Sequence, residues 1–328
     1  MFEIPVVLFI FKRDTGLKKI IERIKIVKPK KLYLIADGPR NSIEEEQTKK
    51  CRTLIESLID WDCEIIKNYA ETNRGVYSNI GEGAKWVLSK EKWAIFLEDD
   101  NLPEVSFFSY CKELLEKYEE NDKILWICGT NYLEEYESQF SYMFTKHLLP
   151  CGWASWSNKF LKYYDGLLLT LNNKDVNEKF RLSYSNSALY KQQLRSIKRT
   201  KYLLSTNKKI SSWDYQMVFS VRSNEMYGIS PKVNLIENIG VDAFSEHGGN
   251  SKKNKRVNQF CGMKSKEIQL PLKHPSEISI DEEYEKRIGK IILYPLSSRI
   301  MLFFSKYIKK ILRLNEYDSL QQFLKVRK

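Results

Sequence analysis

The sequence predicts an α/β fold with a mostly parallel sheet flanked by helices. From residue 4 to residue 128, short apolar runs alternate with segments that have the periodicity of amphipathic helices. Strict alternation of this kind is typical of parallel sheets, because each connection crosses one face of the sheet as a helix. In addition, a polar segment follows each of the first four apolar runs. In a parallel sheet these four segments would meet at one edge.

The first elements are indicated by local signals. An apolar run over residues 4–11 predicts a buried strand, and a single apolar face over residues 15–27 predicts the helix after it. A second strand over residues 31–36 ends at the turn signal Asp37-Gly38-Pro39. The next helix begins at Ser42, a capping residue with two glutamates behind it, and is expected to run to about residue 60.

The following elements complete the alternation. Residues 63–68 are predicted to form the third strand, and a helix to about residue 89 follows Asn73-Arg74-Gly75. The fourth strand, residues 93–97, has the length and the aromatic and β-branched composition of a buried central strand, and Glu98-Asp99-Asp100 follows it. The last elements of this half are a helix over residues 104–118 and a fifth strand over residues 124–128.

The second half of the sequence is less regular. Residues 129–155 are rich in aromatic side chains and are expected to form a long loop that includes Gly152-Trp153. Helices follow, one of which contains Trp213-Asp214, and a strand is expected over residues 231–236. The next loop, residues 238–254, places His247 in a glycine-containing stretch.

The triplet Glu98-Asp99-Asp100 is the most informative feature of the sequence. Burial of a carboxylate is costly, so three of them at the end of a strand need a compensating partner. Ligands of open α/β sheets bind at the carboxyl ends of the strands, and clustered carboxylates suit Mg²⁺ or Mn²⁺ together with substrate phosphates. The triplet therefore favours a metal–diphosphate site. The alternative is an acidic turn that caps the following helix.

Length and cysteine usage exclude several classes of protein. A chain of 328 residues is large enough for one α/β domain with a tail. The six cysteines are scattered, without a CxxC pair or a histidine at zinc spacing, which indicates reduced thiols rather than a disulfide scaffold. The first residues lack the features of a signal peptide, and no apolar run reaches the length needed to cross a bilayer. We therefore expect a cytoplasmic protein, or one bound peripherally at the inner face of the plasma membrane.

The net charge of +12 is concentrated towards the C-terminus. Residues 297–328 contain eight Lys and Arg residues and two acidic residues. Their net charge of +6 is half of the positive charge excess of the whole chain. A catalytic domain with a basic tail accounts for this distribution, and no nucleic-acid partner is expected. Residues 297–314 predict an amphipathic helix with Phe304 and Ile311 on an apolar face and Lys306 and Lys310 on a basic one. Such a helix either lies on an anionic membrane surface or packs on the catalytic domain with its basic face in water.

Over residues 4–250 the chain resembles a known family. No G-x-G-x-x-G follows the first strand and no G-x-x-x-x-G-K-[ST] occurs, which disfavours a Rossmann dehydrogenase and a P-loop nucleotidase. The chain instead resembles GT-A fold nucleotide-sugar glycosyltransferases of the bacterial surface-polysaccharide type, which are distantly similar to N-acetylglucosaminyltransferase I. The resemblance rests on the order and spacing of Lys12-Arg13-Asp14, Asp37-Gly38, Asn73-Arg74-Gly75, Glu98-Asp99-Asp100, Gly152-Trp153, Trp213-Asp214 and the His247 loop.

The resemblance implies a fold, a reaction and a set of site residues. It implies a GT-A, or Rossmann-like, catalytic domain over residues 1–275, with a nucleotide-sugar half (1–128) and an acceptor half (129–275), before a basic helical tail (276–328). The reaction implied is a metal-dependent, inverting transfer of a hexose or N-acetylhexosamine to a glycan or lipid-linked acceptor, with a UDP-sugar as the expected donor and Mn²⁺ or Mg²⁺ as the cofactor. Asp214 would be the catalytic base, and Asp100 and His247 would bind the metal. The residues implied in nucleotide-sugar binding are Arg13, Asp37, Asn73, Arg74, Asp99 and Trp153.

Two other functions remain open on the sequence alone. A sugar-phosphate nucleotidyltransferase would share a nucleotide-binding α/β sheet, but it would usually have a glycine-rich loop where this chain has Phe11-Lys12-Arg13-Asp14. A non-enzymatic basic protein could bind anionic lipid or nucleic acid through its charge, in which case the acidic residues would only cap helices. Thermal stabilisation that requires both Mn²⁺ and a nucleotide diphosphate would distinguish the transferase from a non-enzymatic basic protein.

Overall fold

An eight-stranded mixed sheet forms the centre of the protein in the computed structural model, which describes residues 1–208, 210, 212–240, 260–318, 320 and 323. The strands are β1 (Val6–Ile10), β2 (Lys31–Ala36), β3 (Glu64–Tyr69), β4 (Trp93–Glu98), β5 (Asn101–Pro103), β6 (Ile124–Cys128), β7 (Tyr142–Thr145), β8 (Trp153–Trp156), β9 (Tyr227–Pro231) and β10 (Ile236–Asn238). The helices are α1 (Leu17–Val27), α2 (Ser42–Leu58), α3 (Gly83–Leu88), α4 (Ser106–Lys117), α5 (Ser157–Tyr163), α6 (Lys174–Leu182), α7 (Ser187–Ser205), α8 (Asp214–Ser223), α9 (Glu282–Ile292) and α10 (Leu296–Ile311). A π-helical turn, Tyr77–Glu82, leads into α3.

The strand order of the large sheet is β3-β2-β1-β4-β8-β6-β9-β7. Parallel pairs join β1 to β2 and β4, β2 to β3, and β6 to β9. The strand β8 is antiparallel to both β4 and β6, and β7 is antiparallel to β9. Six of the eight strands therefore point in the same direction, which confirms the predicted α/β class with a mostly parallel sheet.

Side-chain alternation along the strands divides the interior into two cores. In β1, Val6 and Leu8 pack into one core with α1, α2 and α4, whereas Val7 and Phe9 pack into the other with α3, α5 and α8. The sheet is thus covered by helices on both faces, which explains why β1 is apolar throughout rather than alternating with polar residues. The first four strands lie side by side, so the polar segments after them meet at one edge as predicted.

Two expectations about the second half are wrong. Residues 129–155 are not a continuous loop, because they contain β7 and the start of β8. The strand expected over residues 231–236 is replaced by β9, which ends at Pro231, and by β10, which pairs with β5 in a separate two-stranded sheet. Strands of three or four residues are too short for their periodicity to be recognised against an aromatic background.

The segment predicted as a tail divides into two parts. The first part, α9, packs in the core: Tyr284 is fully buried, and its hydroxyl bonds to Ser230 at 2.5 Å and to Asn131 at 3.1 Å. The second part, α10, lies at the surface. Residue 276 therefore does not mark the start of a separate element. Within the described ranges, no single helix is long and apolar enough to cross a membrane; α9 and α10 reach that length together, but are bent by 54° where they meet.

A buried charged cluster holds α9 against the sheet. Glu285 pairs with Arg222 at 3.1 Å and accepts a hydrogen bond from the Thr145 hydroxyl at 2.6 Å. His147 Nε2 donates to the Glu285 carbonyl at 3.0 Å, and Nδ1 accepts from Arg222 at 3.2 Å. Both contacts suit a neutral imidazole. Burial lowers the pKa of His147 to about 4, and the charge of Arg222 acts in the same direction.

We expect the stability of the protein to fall as the pH is lowered from about 6.5 to about 4. Unfolded His147 binds a proton near its ordinary pKa of 6.5, whereas the folded protein binds it only near pH 4, so protonation favours the unfolded state in this window. The difference corresponds to roughly 3 kcal/mol of unfolding free energy. Urea titrations across this range test the effect. His147→Gln should show a flatter pH dependence than the parent, and equal slopes would contradict the assignment.

Candidate active site

The candidate site lies where β1 and β4 end side by side. The chain proceeds from β1 to β2 to β3 in one direction across the sheet, whereas β4 pairs with the other side of β1. The strand order therefore reverses between β1 and β4, and open α/β sheets bind ligands at the carboxyl edge of such a point. Phe9 pairs with Glu98, so the segments after both strands leave the sheet at the same level.

Arg13 brings two carboxylates of the triplet together. Its Nη1 lies 3.4 Å from Asp99 Oδ1 and 3.2 Å from Asp100 Oδ2. The backbone N–H of Phe11 donates to the other oxygen of Asp99 at 3.2 Å. The guanidinium is buried and offsets the negative charge at the end of β4. Three residues that the sequence analysis assigned to the site are thus in mutual contact, while their contacts with a nucleotide stay predictions.

Asn101 fixes the turn that carries the triplet. Its side chain is buried, and its Oδ1 accepts hydrogen bonds from the backbone N–H of Gly152 at 2.9 Å and of Glu98 at 3.3 Å. Its Nδ2 donates to Asp100 Oδ1 at 2.6 Å. One oxygen of Asp100 therefore faces Asn101 and the other faces Arg13. No role was predicted for Asn101 from the sequence, although Asn is a residue type that often bonds to nearby backbone.

Gly240 lies directly against this pair. A Cβ at this position would be 2.5 Å from Asp100 Oδ2 and 3.0 Å from Arg13 Nη1, so only glycine allows the backbone to approach so closely. On the far side of the interval 241–259, the backbone N–H of Gly262 donates to the Asn238 carbonyl at 2.9 Å. Both flanks of that interval therefore border the site. His247 lies outside the described residues, and its predicted role in metal binding stays a prediction.

Asp37 organises the loop that follows β3. Its two oxygens accept hydrogen bonds from the backbone N–H groups of Gly38 (2.8 Å), Arg74 (2.8 Å) and Gly75 (3.1 Å). The side chain of Asn73 donates to the same carboxylate at 2.9 Å. Asp37 and Asn73 are therefore joined at the carboxyl edge, as the predicted site requires. Their hydrogen bonds are made within the protein, and contact with a nucleotide stays a prediction.

Arg74 turns its guanidinium into the protein. It donates to Asn79 Oδ1 at 2.9 Å and to Asn68 Oδ1 at 3.1 Å. Burial lowers its pKa from the ordinary value. In this arrangement Arg74 ties the end of β3 to the π-helical turn before α3 and stabilises the wall of the site beside β2 and β3.

Replacement of Asp37 by Ala is expected to lower the free energy of unfolding by about 2–4 kcal/mol. The substitution leaves three backbone N–H groups without their acceptor, and an unsatisfied buried donor costs about 1–3 kcal/mol. Urea denaturation measures the loss, and Asp37→Asn, which keeps one carbonyl acceptor, should lie between the parent and Asp37→Ala. Parental stability of Asp37→Ala would show that the carboxylate does not hold the loop.

Asp214 is the first residue of α8, where a carboxylate interacts favourably with the helix dipole. It accepts a hydrogen bond from the Ser212 hydroxyl. It also lines a cavity of about 140 Å³ together with Tyr132, Tyr215 and Phe260. The predicted base thus borders an opening that could receive a small polar group.

Glu98, the first residue of the triplet, senses the charges of the other acidic residues at the site. Burial raises the pKa of Glu98 well above its ordinary value, and the charges of Asp100, Asp99 and Asp214 raise it further. A hydrogen bond from the Trp213 side chain acts in the opposite direction. Four carboxyl groups are therefore close enough to affect one another electrostatically. They are Glu98, Asp99, the candidate metal ligand Asp100 and the candidate base Asp214. No separate role was predicted for Glu98 from the sequence.

The donor set fits a divalent cation only in part. In the described part of the chain, no group of three or more His, Cys, Asp or Glu side chains could hold a metal ion. Mg²⁺ is usually held by one or two carboxylates, with water and substrate phosphates as the other ligands. Asp100, supported by Asp99, supplies such carboxylates. The site therefore suits an ion that arrives with a diphosphate.

Trp153 packs in the core. Its ring stacks on Phe96 with 3.9 Å between centroids and on Trp126 with 4.2 Å, and only 1% of the residue is exposed. Both faces of the ring are covered, so neither is available to a sugar. The structure does not support the predicted sugar contact, and we correct the assignment of Trp153 to a core residue.

No family model matches the chain, and no curated protein does. Among solved structures, the chain is similar to 4-diphosphocytidyl-2C-methyl-D-erythritol synthase from Anaerococcus prevotii (11% identity, 67% of this chain and 98% of that one, TM-score 0.31). It is also similar to UDP-glucose pyrophosphorylase complexed with UDP-glucose (11% identity, 72% of this chain and 93% of that one, TM-score 0.34). A third similar structure is a mannosyltransferase from Pyrobaculum calidifontis in complex with GDP-Man and Mn²⁺ (8% identity, 69% of this chain and 70% of that one, TM-score 0.33). Similarity at this level assigns the chain to no family.

Proposed function

We propose that the protein is a metal-dependent glycosyltransferase that moves a sugar from a nucleotide-diphosphate donor to an acceptor hydroxyl, with inversion. The observation that carries the proposal is the contact of Arg13 with Asp99 and Asp100 at the point where the strand order reverses. The acceptor is a glycan or lipid-linked glycan of a bacterial surface polysaccharide, and the protein acts in the cytoplasm or at the inner face of the plasma membrane.

The donor diphosphate is proposed to lie over the triplet. A Mn²⁺ or Mg²⁺ ion bound by Asp100, with His247 as a further ligand, would stabilise the charge that develops on the leaving diphosphate. Arg13 lies within reach of the same position and would add a second positive charge. The loop held by Asp37 forms the neighbouring wall, where the nucleoside of a UDP-sugar would bind.

Asp214 is proposed to act as the base. The acceptor oxygen would form a bond to the anomeric carbon while its proton passes to the Asp214 carboxylate, and the bond between that carbon and the diphosphate oxygen would break. A positioned carboxylate typically contributes about 10²–10⁴-fold to such a step. Attack from the face opposite the leaving group inverts the configuration of the anomeric carbon.

The test is ligand-dependent stabilisation followed by a screen of donors. Thermal denaturation is measured with Mn²⁺, with nucleotide diphosphates, and with both, and nucleotide-sugars are then screened for release of the nucleotide diphosphate. The proposal predicts a stabilisation that requires both components and hydrolysis of at least one donor. Release of inorganic pyrophosphate from a nucleoside triphosphate and a sugar phosphate would instead show a nucleotidyltransferase. Stabilisation by polyanions alone would show a non-enzymatic basic protein.

A further inference from the structure

A cavity of about 760 Å³ lies between α7 and α10, apart from the triplet. Its basic lining residues are Lys191, Arg195 and Arg199 from α7, and Arg299 and Lys306 from α10. The described lining residues include no Asp or Glu. Two helices that are more than ninety residues apart in the sequence thus direct their basic side chains into the same space.

The positive charge in this cavity is only partly compensated by the protein. Lys306 pairs with Glu316 at 3.3 Å, and Arg199 Nε donates to the Tyr317 carbonyl at 3.4 Å. Within the described ranges, Lys191, Arg195 and Arg299 form no salt bridge within 4 Å, although Arg195 interacts with Glu316 at longer range. Like charges that are held together repel each other, so the arrangement favours an anion between them.

The neighbouring residue Lys309 supports the same conclusion. It is buried on the inner side of α10, where its Nζ donates to the Glu316 carbonyl at 2.9 Å. Burial lowers its pKa, and the positive charges of Arg195 and Arg199 lower it further. Lys309 therefore lies on the side of α10 that faces the protein, whereas Lys310 is exposed to solvent.

The apolar face of α10 is turned towards solvent. Large apolar side chains are at least 47% exposed along its whole length: Leu296, Ile300, Met301, Phe303, Phe304, Tyr307, Ile308 and Ile311. This is the reverse of a helix that packs its apolar face on the domain, so that interpretation of the tail is wrong. Exposed apolar patches of this kind mark sites of interaction. Phe303 belongs to both surfaces, since it lines the cavity and is 57% exposed.

We propose that this cavity binds the phosphate groups of a phosphorylated lipid whose hydrocarbon chain leaves along the exposed apolar face of α10. Arg195 and Arg299 provide charge-assisted hydrogen bonds to phosphate from opposite walls. Leu302 and Phe303 continue the cavity into the apolar face, which buries the chain. The phosphate groups of such a lipid thus match the basic cavity, and its hydrocarbon chain matches the apolar face of α10. The two surfaces meet at Phe303.

The position of the cavity relates this ligand to the proposed reaction. Ser212 and Tyr215, on either side of Asp214, line the cavity, and Tyr215 also lines the smaller cavity that Asp214 borders. A lipid phosphate bound here would direct an attached glycan towards Asp214. The lipid is therefore the anchor of the acceptor; this assignment rests on the proposed function, whereas the binding of the lipid itself does not.

The experiment measures binding by full-length protein at physiological ionic strength, without Mn²⁺ or nucleotide. Farnesyl diphosphate is compared with inorganic pyrophosphate and with farnesol by calorimetry. We expect farnesyl diphosphate to bind about tenfold or more tightly than either fragment, because it engages both surfaces. The variant Arg195→Gln/Arg299→Gln should weaken its binding by about tenfold or more.

The matched control is Lys198→Gln/Lys310→Gln. It removes the same charge from the same two helices at exposed positions that do not line the cavity, and it should bind as the parent does. Equal losses in both variants would show non-specific attraction and overturn the proposal. Pyrophosphate that binds as tightly as farnesyl diphosphate would show a site for free phosphate and overturn it as well. Circular dichroism of each variant verifies that it is folded.

The result also separates this inference from the proposed function. Hydrolysis of a nucleotide-sugar without binding of the lipid diphosphate would overturn the inference and leave the transferase intact. Binding of the lipid diphosphate without any activity on nucleotide-sugars would overturn the proposed function and leave the cavity as a lipid-phosphate site.

Discussion

Asp214→Asn is expected to lower the turnover number by about 10²–10⁴-fold while the affinity for the donor stays nearly unchanged. The amide keeps the size of the side chain and its bond to Ser212, but it cannot accept the proton of the acceptor hydroxyl. Asp214 is not one of the proposed metal ligands, Asp100 and His247, so the substitution does not take a ligand from the metal. Steady-state kinetics give the turnover number, and calorimetry with the nucleotide diphosphate and Mn²⁺ gives the affinity.

Asp175→Asn is the matched control for this substitution. Asp175 also stands in the first turn of a helix, α6, but is exposed to solvent, so the control removes a similar interaction with a helix dipole. It should retain parental turnover. Turnover by Asp214→Asn at the parental rate would eliminate this residue as the base, and equal losses in the two variants would point to an effect on folding.

Asp100→Ala is expected to abolish the contribution of Mn²⁺ to nucleotide binding. The dissociation constant for the nucleotide diphosphate measured with Mn²⁺ should rise by about 100-fold, towards the value of the parent in EDTA. The substitution also removes the ion pair with Arg13, whose guanidinium lies 3.2 Å from Asp100 in the parent. Binding without metal should therefore stay at the parental level or become tighter, because Arg13 gains freedom to contact the diphosphate.

Titrations of both proteins with and without Mn²⁺ test this expectation. The two effects have opposite signs, so a general loss of folding cannot imitate them. If Mn²⁺ strengthens binding to Asp100→Ala as much as to the parent, the ion is held elsewhere. The assignment of a metal–diphosphate site to the triplet would then be wrong.

The arrangement of residues 1–128 could be predicted because its signals are local. The strands β1, β2 and β4 are mostly buried apolar runs, β3 is a partly exposed edge strand, and parallel pairing alone brings the ends of all four to one edge. Contact between Arg13 and Asp99 follows from the neighbouring positions of β1 and β4. The carboxylates of the triplet were recognised because acidic residues at the end of a buried strand are unusual.

Other features of the site depend on contacts between distant parts of the chain. Gly240 reaches Asp100 only because β10 pairs with β5, and a strand of three residues has no recognisable period. Trp153 was misassigned because aromatic composition does not distinguish a stacked core residue from one that covers a sugar. The amphipathic pattern of α10 identifies two faces, but the pattern does not determine which face meets the protein.

The position of β8 has a consequence for how the chain can be divided. Although β8 comes from residues Trp153–Trp156, it lies between β4 and β6 and supplies the hydrogen-bonding partner for one side of β4. A fragment that stopped at residue 128 would leave that side of a mostly apolar strand open, and such edges recruit other chains into aggregates. During synthesis the same edge stays open until the ribosome has released residue 156. Residues 1–128 thus contain the contacts of Arg13 with Asp99 and Asp100, but we do not expect them to fold stably as a separate fragment.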